Sequence, residues 1–150
     1  MVSQGDSKPG LEALFEDFEH PNPNINRNAY LQMARFWPEE SMKLLLSNLE
    51  TKDIVLRRKS IKALSVFGYG VLSELTKVFL SNEDKLIRTS CLKVLARIAA
   101  SDDCKPFPIE VMKVIDLALI DDSPEIILTV APLLRQLGSQ GVPLLLKACR

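Results

Sequence analysis

One phrase occurs twice in this chain, and that repetition constrains its fold more than any other feature. Residues 53–70 read DIVLRRKSIKALSVFGYG, and residues 84–100 read DKLIRTSCLKVLARIAA. Each copy opens on an Asp and places an Arg four residues later. Each then runs a small residue, an apolar residue and a Lys: Ser60-Ile61-Lys62 in one, Cys91-Leu92-Lys93 in the other. Two matching phrases 31 residues apart are the signature of a helical repeat array. One helical hairpin cannot bury its apolar face alone, so neighbouring copies must stack into a continuous core.

The hydrophobic spacing elsewhere is helical throughout, with no credible strand. Leu11, Leu14, Phe15 and Phe18 fall at i, i+3, i+4 and i+7, which predicts a helix over 11–19. His20-Pro21-Asn22-Pro23 ends it. Further helices are expected over 24–36, 38–49, 54–67, 71–80, 84–100, 108–120, 124–137 and 141–149. Asp53 is the expected cap of one and Gly68 its stop; Ser123 caps another, with Pro124 in its first position. Aligning Arg27, Arg57, Arg88 and Ile126 gives four copies, with Tyr30, Ser60, Cys91 and Thr129 next, then Leu31, Ile61, Leu92 and Val130. In that register the fourth copy is out by one residue and Pro132 falls where a Leu belongs. The expected organisation is a loose tail over 1–10 and one all-α domain over 11–150. That domain holds an N-terminal capping helix and hairpins at about 22–50, 53–81, 84–120 and 123–149.

Composition narrows the function classes. Nineteen basic and 19 acidic side chains give zero formal net charge, which argues against nucleic acid as the main partner. No apolar run is long enough for a transmembrane helix, and the first residues lack a secretory pattern. Cys91, Cys104 and Cys149 include no CxxC pair, so free thiols in a reducing compartment are expected and a zinc site is not. No phosphate-binding loop, dinucleotide glycine pattern, HExxH or nucleophile elbow is present.

The Asp-x-x-x-Arg openings, the small-apolar-Lys run after each Arg and the Phe67-Gly68 turn resemble the HEAT repeats. Within them they resemble the short version of the phycobilisome-lyase-like family of cyanobacteria and plastids. The resemblance covers roughly residues 22–149 and is strongest over 53–100. It implies a HEAT-like α-solenoid in a cyanobacterial cytoplasm or plastid stroma. It further implies a non-catalytic protein-binding scaffold or assembly factor whose partner is a phycobiliprotein or a second HEAT-like subunit. The alternative it implies is one subunit of a heteromeric bilin lyase, and only there would a bilin be bound. Second helices line the concave face in such arrays, which points to Lys43, Ser47, Ser73, Glu74, Lys77, Lys113 and Asp116.

The remaining candidates have structural readings beside their functional ones. Asp53/Arg57 and Asp84/Arg88 are expected to form a ladder of acid caps and bridging arginines, or else an anion site. Arg58, Lys59, Lys62, Lys93 and Arg97 make two helix faces basic, whereas Glu12, Glu16, Asp17 and Glu19 make the first helix acidic. His20 stands without a second His or a nucleophile motif. Cys91 is expected buried and inert, and Cys104 beside Lys105 is the candidate reactive thiol. Asp102-Asp103 and Asp121-Asp122 read as caps at helix boundaries. Tyr30, Phe36 and Trp37 read as core, or in part as a ligand surface. Residues 141–149 are apolar nearly all round, so Leu145 is expected to dock onto another protein or a second copy.

Overall fold

The computed structural model describes residues 8–101, 106–121 and 123–137. Among these are eight α-helices: α1 Leu11–Phe18, α2 Pro23–Phe36, α3 Pro38–Ser47, α4 Ile54–Val66, α5 Leu72–Ser81, α6 Lys85–Ala99, α7 Ile109–Ile120 and α8 Pro124–Gln136. Two 3-10 turns, Asn48–Glu50 and Gly68–Val71, sit between them, and the described residues contain no strand. The expected helix over 141–149 lies outside the described residues, as does Gly138. Gly68 closes α4 with φ at +56°, a conformation that favours glycine because it has no Cβ.

The chain divides into two compact units, Met1–Phe67 and Gly68–Arg150. In the first, α1 lies on α2, and α2 and α3 both pack on α4. Phe18, Met33, Leu45, Leu49 and Leu64 fill its centre. Phe18 takes Phe15 and Tyr30 edge-on, with ring centroids 5.9 and 6.5 Å away. Trp37 donates its indole N–H to the Pro9 carbonyl at 2.7 Å, and Lys8 stands 3.6 Å over its ring. In the second unit α6 lies along α8, while α5 packs on α6 and α7, and α7 on α8. Phe79, Leu92, Ile115, Ile126 and Leu134 are among its largest fully buried side chains.

The repeat register follows the helix caps, which corrects the arginine-based alignment. Asn22, Asp53 and Asp84 each cap a helix by accepting backbone N–H groups: Asn24 at 2.9 Å, Val55 and Leu56 at 3.0 and 3.1 Å, and Leu86 at 2.8 Å. Ser123 occupies the cap of α8 but makes no side-chain cap bond; its own N–H donates to Asp121 Oδ1 at 2.7 Å. Seven residues past each cap stand Ala29, Ser60, Cys91 and Val130, all buried. Eleven past stand Met33, Leu64, Leu95 and Leu134, all buried. Tyr30 and Thr129, aligned with Ser60 and Cys91 on the arginine register, are only half-buried. Pro132 stands where Lys62 and Lys93 stand, at an exposed position, so its missing N–H leaves the Leu128 carbonyl facing water.

The ladder arginines also differ from expectation. Neither pairs with a carboxylate among the described residues. Arg57 donates to the Thr51 carbonyl at 2.9 Å, and Arg88 donates to the Asn82 carbonyl at 2.5 Å while lying 4.7 Å over the Phe79 ring. Both carbonyls sit two residues before the capping Asp. Each carboxylate is occupied by helix N–H groups, so the guanidinium four residues on meets the carbonyl of the incoming turn instead. Each turn is thus held from both sides. Arg88→Met should lower stability by about 1.5 kcal/mol, the low end for a hydrogen bond from a charged donor, since the contact is half-buried. Urea unfolding midpoints at constant m-value check this; an unchanged midpoint would show the clamp to be incidental.

Candidate partner-binding groove

Helices α5 and α7 lie side by side, and a groove of about 470 Å³ opens between their first turns. Leu72 and Val111 are buried at its base, and Pro108 and Tyr69 complete the apolar lining. Ser73, Thr76 and Lys77 form the α5 side of the rim, and Glu110 the α7 side. Volumes of this size suit a small molecule or a large side chain of another protein. Two of the residues expected from the sequence, Ser73 and Lys77, stand here. Glu74 is close by and bonds Lys77 across one turn at 3.3 Å. Leu72, Thr76, Pro108, Glu110 and Val111 were not expected from the sequence, because apolar and first-turn acidic residues read as ordinary core and helix-dipole positions.

The other expected positions divide between the two units. Lys43 and Ser47 are exposed on α3, where the Ser47 hydroxyl donates to the Leu44 carbonyl at 2.6 Å. Lys113 is exposed and Asp116 half-exposed on α7. Leu145 lies outside the described residues. A register that the sequence carries joins three of these residues. Ser41-Met42-Lys43-Leu44-Leu45, Leu75-Thr76-Lys77-Val78-Phe79 and Val111-Met112-Lys113-Val114-Ile115 each place an exposed Lys midway between two buried residues. Glu40, Glu74 and Glu110 precede these lysines by three residues, and among the described residues only Glu74–Lys77 closes to an ion pair. Large exposed apolar side chains accompany the lysines: Leu44 on α3, Leu80 on α5, and Ile109, Leu117 and Ile120 on α7.

Several of the remaining candidates are engaged within the chain. His20 Nδ1 accepts the Asn22 N–H at 2.9 Å, and the His20 carbonyl accepts from Asn26 and Lys59. Lys59 also reaches the Glu19 carbonyl at 3.0 Å, so one member of the basic face ties α4 to the end of α1. Arg58, Lys62, Lys93 and Arg97 are exposed. Tyr30 faces Phe18, Phe36 lies under the Arg35 guanidinium at 4.9 Å, and Trp37 is covered by Lys8. Among the described residues no three His, Cys, Asp or Glu side chains converge as a metal site would require. Cys104, Asp102, Asp103 and Asp122 lie outside them.

Comparison with known proteins settles the family. A profile of HEAT repeats matches residues 11–106. The chain belongs to the HEAT-repeat family. The all-α fold and the paired helices are those of such repeats. Two relatives are similar over most of this HEAT-repeat chain. The uncharacterized phycocyanin operon protein Z of Pseudanabaena tenuis (strain PCC 7409) is 25% identical over 138 residues, 92% of this chain and 68% of that protein. The bilin biosynthesis protein CpeZ of Synechococcus sp. (strain WH8020) is 25% identical over 128 residues, 81% of this chain and 69% of that protein. Among the described residues no single helix is long and apolar enough to cross a membrane.

Cys91 occupies the small, buried position of its repeat. Burial pushes its thiol from the ordinary 9.0 up to about 12, and the nearby Arg88 charge offsets only part of that rise. The neutral thiol therefore persists in the folded chain where the unfolded chain ionises. Stability from this residue should be fully present below pH 9 and should fall as pH rises from about 9 toward 12. In a Cys104→Ser/Cys149→Ser background at pH 8, a disulfide reagent should leave Cys91 unmodified until urea unfolds the protein. Rapid labelling in native buffer would contradict the burial argument.

Proposed function

We propose that this chain is a non-catalytic protein-binding scaffold or assembly factor that serves phycobiliproteins. The observation that carries this reading is the pair of relatives, aligned over 92% and 81% of the chain and named for a phycocyanin operon and for bilin biosynthesis. The α5–α7 groove, with its apolar base, supplies a surface of the kind a protein partner would use. The partner is a phycobiliprotein subunit or a second HEAT-like subunit, in a cyanobacterial cytoplasm or plastid stroma. A second reading, in keeping with a relative named for bilin biosynthesis, makes this chain one subunit of a heteromeric bilin lyase. The thioether would then form on the phycobiliprotein cysteine, with the partner subunit supplying the acid–base groups.

The test uses a purified apo-phycobiliprotein subunit immobilised on a sensor, with the full chain as analyte. Saturable binding is expected, with a dissociation constant in the micromolar range or below, about −8 kcal/mol. No binding to any apo-subunit, alone or with a second HEAT-like subunit present, would overturn the scaffold reading. Adding bilin separates the two readings: covalent chromophore, resistant to denaturant, appearing faster in the presence of the chain would select the lyase.

A further inference from the structure

The α5–α7 groove differs from a plain apolar cleft in that its two walls carry opposite charge. Lys77 stands on the α5 wall and Glu110 on the α7 wall, both exposed, above the buried Leu72 and Val111. Tyr69 borders the groove, its ring packed edge-on against Phe107 at a centroid distance of 5.8 Å. Resting on the scaffold reading, we propose that the groove anchors one aromatic side chain of the partner protein. The segment that carries this side chain places an acidic residue toward α5 and a basic residue toward α7.

Three observations select that occupant. The apolar base suits a ring, and buried aromatic anchors dominate the energetics of protein interfaces. The Lys77 ammonium on the rim can settle over a ring face, which an aliphatic side chain would not offer, and the Tyr69 ring can take an edge. The opposed charges decide the flanking chemistry. A segment with two carboxylates beside its anchor would bring one of them to Glu110, and a segment with two cations would bring one to Lys77, and like charges brought together are unfavourable. Mixed flanks satisfy both walls at once. Glu74 holds Lys77 at 3.3 Å in an exposed pair, so the partner carboxylate takes over the Lys77 ammonium by displacing Glu74.

The full chain, labelled with nitrogen-15, would be titrated with four capped pentapeptides. Three place Trp between one Glu and one Lys, between two Glu, or between two Lys; the fourth replaces Trp with Ala between Glu and Lys. The mixed-charge Trp peptide should shift the amide signals of residues 72–77 and 109–111. It should also bind about tenfold tighter than either like-charged peptide and the Ala control, the change expected for one well-placed contact. Equal affinities across the four, or shifts confined to other residues, would overturn the proposal. Lys77→Glu makes both walls acidic and should transfer the preference to the two-Lys peptide, whereas an unchanged ranking would count against the charge argument. Ser73→Trp fills the groove from an exposed position. It should abolish the shifts without lowering the melting temperature, and retained binding would again overturn the anchor. Failure of the chain to bind any phycobiliprotein subunit would remove the scaffold reading while leaving the peptide result intact. Phycobiliprotein binding that survives Ser73→Trp, together with indifferent peptides, would remove only the anchor.

Discussion

The turn between successive helices is the feature on which the rest depends. A helix end leaves carbonyls without partners, and the next helix start leaves N–H groups without partners. In the two strongest repeats one sequence device meets both needs. Asp84 accepts from the opening N–H of α6, and Arg88, one turn on, donates back to the Asn82 carbonyl; Asp53 and Arg57 act in the same way at the start of α4. This device sets where each first helix begins, and so which of its residues face inward. Ser60 and Cys91 fall on the buried side because they stand seven residues past such a cap. A larger residue there would crowd a neighbouring helix, which is why the position holds Ala, Ser, Cys and Val.

Most of the fold was legible in the sequence for that reason. Caps, proline stops and helical spacing are local signals, and among the described residues the helix bounds they imply agree with the structure to within one or two residues. The register of the outer copies was not legible in the same way. Arg27 and Ile126 look like the equivalents of Arg57 and Arg88 when residue types are matched. The chain, however, counts from Asn22 and Ser123, and only backbone hydrogen bonding reveals that origin. The ladder failed as an Asp–Arg pairing for a related reason. Charge and spacing alone cannot show that the carboxylate is already filled by N–H groups, nor that a carbonyl lies nearer to the guanidinium.

The groove was half legible. Ser73 and Lys77 follow from the expectation that second helices present a binding face. The opposing wall does not, because Glu110 reads as an acid in a first helical turn, where it favours the helix dipole. Its second role appears only when α7 is set beside α5. The lysine at one register on α3, α5 and α7 was in the sequence all along, yet it emerges only after the buried residues on either side of each lysine are known.

A repeat protein divides its residues between those that every copy must share and those that any copy may change. The buried positions of the first helices belong to the shared set, since each copy must pack against the next. The exposed rim positions are under no such rule. Lys43, Lys77 and Lys113 recur, but α5 and α7 enclose a groove between Tyr69 and Pro108, and among the described residues only Lys77 closes an ion pair with the glutamate before it. Specificity in such a chain therefore resides in departures from the repeat. The Gly68–Val71 turn supplies one departure by placing Tyr69 at the mouth of the groove, and the proline-led start of α7 supplies another by bringing Glu110 to the facing wall. Shared positions hold the helices at fixed spacing, and the two unshared turns convert that spacing into a surface that can tell one partner segment from another.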